Sequence, residues 1–171
     1  MNKAQWLWVP LAAISTSVYA TTYFTTEQAQ QALFPGEKLT AAFVTLTDEQ
    51  ARQIEKATDV NVRHKEIHAW KAEHGGWFIL DEVVGKHEFI TYAVALHANG
   101  SVRQIEIMDY RESYGYEVRN PEWRKQFVGK TAADPLRLNA DIRNISGATL
   151  SSRHVTDGVK RVLATYAVAL R

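Results

Sequence analysis

No cysteine occurs among the 171 residues. That absence removes disulfides, thiolate catalysis, haem attachment through C-x-x-C-H and thiolate-held iron–sulfur clusters together. Stability has to come from packing, and any redox group has to be organic or held by other ligands. Net charge is almost as scarce, with 20 Lys and Arg against 19 Asp and Glu. Lys3 is the sole charged residue before position 21, so the remainder is formally neutral. A nucleic-acid partner calls for a clustered basic excess and is not expected. Missing too are the G-x-G-x-x-G of nicotinamide dinucleotide binding and the G-x-S-x-G elbow. Direct oxidation of NADH by this chain alone is therefore not expected. A serine hydrolase would have to assemble Ser146 or Ser151 with His154 and Asp141 or Asp157, without the strained turn that presents the nucleophile. There is no internal repeat, low-complexity tract or inter-domain linker.

The N-terminus has the grammar of a secretory signal. Lys3 is the positive flank, Trp6 to Ile14 the apolar stretch, and Val18-Tyr19-Ala20 a small-residue cleavage site. Pro10 and the fade into Ser15-Thr16-Ser17 make it a poor membrane span, although residues 6 to 24 together approach the length of one. The reading is a signal peptide over 1–20 and one domain over 21–171. That product is soluble in the periplasm or another extracytoplasmic space, and membrane-anchored if residues 1–20 stay. The residues after the signal suffice for one domain with a hydrophobic core.

Thr25-Thr26-Glu27-Gln28 opens a helical pattern that Pro35-Gly36 stops. Thr47-Asp48-Glu49-Gln50 is a capping box leading into a second short helix through Ala51 to Ala57. From about Lys65 the texture turns β-branched and aromatic, broken at Gly75-Gly76, Gly85 and Asn99-Gly100, the punctuation of hairpins. The clearest strand is Glu88 to Ala98, with Ile90, Tyr92, Val94 and Leu96 on one face and Thr91, Ala93 and Ala95 on the other. Asn99-Gly100 predicts a two-residue turn with positive φ and direct pairing with a strand from Val102 to Met108. Tyr110 to Asp141 reads as loop, with a helical turn over Pro121 to Phe127. Val155, Val159, Val162, Leu163, Tyr166, Ala167 and Leu170 then repeat at helical spacing. The expected class is α+β: an antiparallel hairpin meander packed by short N-terminal helices and a C-terminal amphipathic helix.

Between loop and last helix lies Ile145-Ser146-Gly147-Ala148-Thr149-Leu150-Ser151-Ser152-Arg153. Such a turn of small residues gathers backbone N–H groups and hydroxyls at the positive end of a helix, a good place for a phosphate. Taken alone it reads first as an ordinary turn and helix cap, which Ser, Thr and Gly form in most proteins. However, Ser-Gly-Ala-Thr followed by Leu-Ser-Ser-Arg and a valine-rich helix resembles the attachment motif of the FMN-binding-domain family, which includes flavin subunits of the Rnf and sodium-pumping quinone reductase complexes. A second segment, Glu112-Ser113-Tyr114-Gly115-Tyr116-Glu117-Val118 with Phe127-Val128-Gly129-Lys130 behind it, is similar to the family's Glu-Thr-Pro-Gly-Leu-Gly loop and its continuation. It departs at Ser113, Tyr114 and Tyr116.

The resemblance covers about residues 88 to 167 and leaves the N-terminal third outside. It implies FMN joined to Thr149 through a phosphoester, installed from FAD by a magnesium-dependent flavin transferase. By the same resemblance Ser146, Gly147, Ala148, Leu150 and Ser151 shape the phosphate turn, and Glu112, Tyr114 and Gly115 lie near the flavin. The implied function is electron carriage between a membrane-bound redox partner and an extracytoplasmic acceptor, more a carrier than a stand-alone enzyme. The alternative is a non-redox exported binding module of the same fold. His64 and His68 have helical metal-pair spacing, but they run into a strand, where four residues span about 13 Å, too far for one ion. His154, one turn into the last helix, reads as a solvated helix-face residue near the motif.

Overall fold

A computed structural model describes residues 21–171; the predicted signal lies outside them. Two capping boxes start the first two helices where the sequence places them. In α1 (Thr26–Leu33) the Gln28 N–H donates to Thr25 Oγ1 at 3.2 Å, and Gln28 Oε1 accepts from the Thr25 N–H at 2.8 Å. Thr47 and Gln50 repeat the arrangement at α2 (Asp48–Thr58), which ends where Asp59 turns into the left-handed region at φ 58°.

The strands are β1 (Thr21–Thr22), β2 (Leu39–Ala41), β3 (Val44–Thr45), β4 (Glu66–Ala72), β5 (Trp77–Val84), β6 (Phe89–Leu96) and β7 (Val102–Tyr110). They form an antiparallel sheet in the order β1-β7-β6-β5-β4-β2, with β3 also pairing β4. The predicted meander is therefore β4 to β7, and the N-terminal third adds strands to both of its edges. Leu39 to Ala41 pair with Ala72 to Trp70, while Val44 and Thr45 pair with Ile67 and Glu66, so β2 and β3 lie end to end along one side of β4.

One expectation fails at the β6–β7 connection. The sequence suggested a two-residue turn at Asn99-Gly100, but His97 N–H bonds to Ser101 O at 2.8 Å and Gly100 N–H to His97 O at 2.9 Å, which encloses a three-residue loop, Ala98-Asn99-Gly100. Only Gly100 of the three has positive φ, at 83°. The Asn99 side chain instead accepts from the Ser101 N–H at 3.0 Å and takes a capping role in place of the left-handed one. The loop is one residue longer than a two-residue turn, and the ladder is irregular where Ala95 gives way to Leu96.

Both faces of the central strands are buried, which explains why β6 is apolar on either side. Ile90, Tyr92, Val94 and Leu96 join the core beneath α4 (Thr149–Thr165), whereas Ala93 and Ala95 meet Ala29, Leu33 and Phe34 of the α1 layer. The small alanines let α1 come close, and the larger residues fill the space under the longer helix. Gly158 lets α4 settle onto β5 and β6, since a Cβ there would run into the Tyr92 hydroxyl and reach 2.8 Å from Val83 Cγ1. Beside it the buried Arg161 donates to Asp81 Oδ2 at 2.7 Å and to Glu82 O at 3.0 Å, while Tyr92 Oη donates to the same Asp81 oxygen at 2.5 Å. Helix α2 packs on the far side of α4 through Ile54 and Ala164. Past Thr165 the helix widens into a turn with i→i+5 bonding over Tyr166–Leu170. The region between β7 and α4 holds two short 3₁₀ turns, Tyr116–Arg119 and Lys125–Phe127, around α3 (Pro121–Arg124), the last two covering the predicted turn. Among the described residues no helix is long and apolar enough to cross a membrane.

Candidate functional site at the start of the last helix

The approach to α4 is pinned from behind. Trp123 Nε1 donates to Arg143 O at 2.7 Å and the Arg143 N–H donates to Gln126 Oε1 at 2.8 Å, so residue 143 is fixed on both sides of its backbone by the α3 region. Ile145 packs against the main core. The chain then turns tightly, with Ala148 N–H bonding to Ile145 O at 3.0 Å and Gly147 in the third position at φ 85°. A φ of that sign is cheap for glycine alone.

The helix that follows is unusual in its first residue. Ala148 occupies the N-cap with no side chain to accept from the first turn. Ala is among the poorest caps, and the N–H groups at the start of a helix have no intrahelical acceptor, so Thr149, Leu150 and Ser151 present a positive, open end. Thr149 is exposed and its Oγ1 accepts a hydrogen bond from Asn144 Nδ2 at 3.0 Å. Ser146 and Gly147 are exposed as well, while Ala148 is buried.

A second wall comes from the loop after β7. Ser151, buried, lies 2.9 Å from Tyr110 Oη, and Tyr110 donates its own proton to the carbonyl of Tyr114. Since a carbonyl only accepts, Ser151 must be the donor in the first pair. Burial, ahead of nearby carboxylates and against the Ser151 bond, raises the Tyr110 pKa, which keeps the phenol protonated for this role. Gly115, at φ 92°, sits against the same two hydroxyls; a Cβ would lie 2.5 Å from Ser151 Oγ and 2.6 Å from Tyr110 Oη. The loop is thereby locked to the first turn of α4, and it leaves Tyr114 82% and Tyr116 58% exposed on either side of the glycine. Leu150, on the helix, is 42% exposed. Apolar surface is thus exposed both on the loop that packs on α4 and on the first turn of that helix.

The structure thus brings Ser146, Gly147, Ala148, Thr149, Leu150 and Ser151 together with Tyr114 and Gly115. Glu112 stands apart in its bonding. Its Oε1 accepts the N–H groups of His87 at 2.5 Å and Glu88 at 3.0 Å, tying the loop to the β5–β6 hairpin, and Gly85 makes room for it. Of the residues a serine hydrolase would need, Ser151 is engaged with Tyr110, and Asp141 accepts from Lys130 Nζ at 3.0 Å and from the Arg137 N–H at 2.7 Å. His64 and His68 approach different carboxylates, Glu82 at 3.7 Å and Glu66 at 3.8 Å. His154 is half-buried rather than solvated, and its Nδ1 is buried without a hydrogen-bond partner. Asn144 and Tyr110 were not singled out from the sequence. An Asn five residues before the threonine and a Tyr closing a strand are ordinary in a linear reading, and only folding puts their polar ends at the site.

Residues 85–164, somewhat less than half of the chain, match the family model of the FMN-binding domain. The match suggests a flavin-binding module and supports FMN as its cofactor. No curated protein matches the chain. The match starts just after β5 and finishes within α4, so it takes in β6, β7, the Glu112 loop and the Thr149 turn and leaves α1, α2 and β1 to β5 outside.

Proposed function

We propose that this protein is an exported electron carrier whose FMN is joined to Thr149 by a phosphoester. The supporting observation is the exposed Thr149 hydroxyl at the uncapped start of α4. The N–H groups of the first turn face the phosphate, and the helix dipole favours its remaining negative charge. Gly147 keeps the turn free of side-chain bulk, since a Cβ there would meet nothing and its conformation suits glycine. Tyr114, Tyr116 and Leu150 offer apolar faces to the ring, and Gly115 holds that loop close.

Export and covalent attachment support one another physically. A cofactor bound only by equilibrium is lost when its free concentration falls well below the dissociation constant, and a covalent tether replaces that with a high local concentration. Bound FMN supplies one- and two-electron redox chemistry, which lets such a domain join partners of either kind. In this reading electrons arrive from a membrane-bound reductase and leave to an extracytoplasmic acceptor, and a flavin transferase using FAD and magnesium installs the cofactor.

The test is the intact mass of the protein co-produced with a flavin transferase, beside Thr149→Ala. A gain of one FMN less water in the wild type alone, with flavin fluorescence surviving denaturation, is the expected result. An unmodified wild type, with the transferase active on another acceptor protein, would reduce Thr149 to a surface residue and favour a non-redox module.

A further inference from the structure

We infer that Asn144 is a positioning residue for the attachment reaction: its carboxamide fixes the Thr149 oxygen and steadies the negative charge that the oxygen takes on as its proton leaves, before the bond to phosphorus forms. This rests on the covalent reading above and carries it to a residue outside the Ser146–Thr149 tetrapeptide. Asn144 Nδ2 donates to Thr149 Oγ1 at 3.0 Å. Asn144 is half-buried and Thr149 exposed, so the amide approaches from the protein side and leaves the outer side of the hydroxyl open.

Its backbone is held as a preorganised site requires. Residue 143 is clamped by Trp123 Nε1 and Gln126 Oε1, residue 145 is packed into the core and closes the turn to Ala148, and Asn144 lies between them. The other end of the amide, Oδ1, is buried and has no hydrogen-bond partner. Turned over, the amide could offer Oδ1 to the Thr149 hydroxyl, but the proton so engaged is the one that has to leave. With Nδ2 facing the oxygen, the hydroxyl proton stays available to an external base; in either orientation the far end of the amide is left without a partner. Unsatisfied buried groups of this kind call for a functional explanation.

The reaction balances without a change of oxidation state. Thr149 Oγ1 attacks the FMN-side phosphorus of FAD, the Oγ1–P bond forms, the bridging P–O bond breaks, and AMP leaves with the electron pair. The hydroxyl proton passes to a base of the transferase. Throughout, the Asn144 N–H has an acceptor: first a hydroxyl oxygen gaining charge, afterwards an ester oxygen that can only accept. A donor aimed at developing charge acts on the rate more than on binding.

The experiment follows the initial rate of mass gain of the full chain with FAD, magnesium and a flavin transferase, for the wild type, Asn144→Ala and Asn144→Asp, each with its unfolding midpoint. Asn144→Ala is expected to lower kcat about tenfold with KM for the protein little changed, the size of one lost hydrogen bond to a charging atom. Asn144→Asp, nearly identical in shape, should be slower still, because a carboxylate cannot donate and repels the incoming phosphates. Labelling is compared at a temperature well below the unfolding midpoint of every variant, so that a loss of stability does not pass for a loss of rate. Asn144→Asp labelled as fast as the wild type would overturn the inference while leaving the covalent reading intact. A wild type that gains no mass would overturn both.

Discussion

At Gly115 a missing methyl group sets how closely the Tyr114–Tyr116 loop approaches α4. The φ of 92° already disfavours any other residue, and a Cβ would collide with both Ser151 Oγ and Tyr110 Oη. Gly115→Ala is expected to cost about 2 kcal/mol of stability, read from urea unfolding, through strain and the displaced hydroxyl pair. An unchanged midpoint would mean that the loop moves away freely and that the contact with Ser151 contributes little. Thr149 could be singled out from the sequence because its tetrapeptide is contiguous, and so could Gly115, from its place in a recognisable loop. Asn144 could not. A hydrogen bond between side chains five residues apart across a turn depends on the turn's geometry, which small residues permit without specifying.

Between elements, Glu112 joins the loop after β7 to the β5–β6 hairpin. Burial alone would raise its pKa, but the donated N–H groups of Glu88, His87 and Lys86 outweigh that and hold it below the usual carboxylate range. A carboxyl group with a lowered folded-state pKa stabilises the fold above its unfolded pKa and loses that contribution as the pH falls through the folded value. Glu112→Gln should therefore be less stable than the wild type at pH 7 by about 1 kcal/mol, a modest figure because the group is partly solvated. The gap should narrow as the pH is lowered from about 5, followed by thermal melting, since the unfolded chain protonates near 4.3. A gap independent of pH would assign the effect to shape and not to charge. The resemblance pointed to Glu112 as a neighbour of the flavin; its partners lie 24 and 25 residues away on a hairpin, which no local pattern could reveal.

Across the whole molecule the sheet is shared by two cores. Helix α4 covers one face and the α1 layer the other, and the site stands at one end of the former. Phe34, 1% exposed, plugs the second face against Phe78, Ala93 and Ala95. Phe34→Ala is expected to lower stability by about 3–4 kcal/mol, a cavity on the face away from Thr149. Since β6 serves both cores, unfolding should remain one transition, with tryptophan fluorescence and far-ultraviolet circular dichroism falling together. Two separate transitions would show that the N-terminal third folds by itself against a pre-existing C-terminal unit.

The sequence by itself determined the features that local chemistry encodes: the two capping boxes, the stop at Pro35-Gly36, the alternation of β6, the period of α4 and the place of Ser146 to Thr149. Each is written within a span of a turn or a strand. Only the tertiary structure decided that Leu39–Ala41 and Val44–Thr45 would line one edge of β4, that Thr21–Thr22 would line β7, and that the β6–β7 loop would take three residues. Strands of two or three residues carry no readable period, and their identity comes from the partner they meet. The same is true of the site's second wall, where Tyr110 and Ser151 are 41 residues apart and become neighbours because β7 ends where α4 begins.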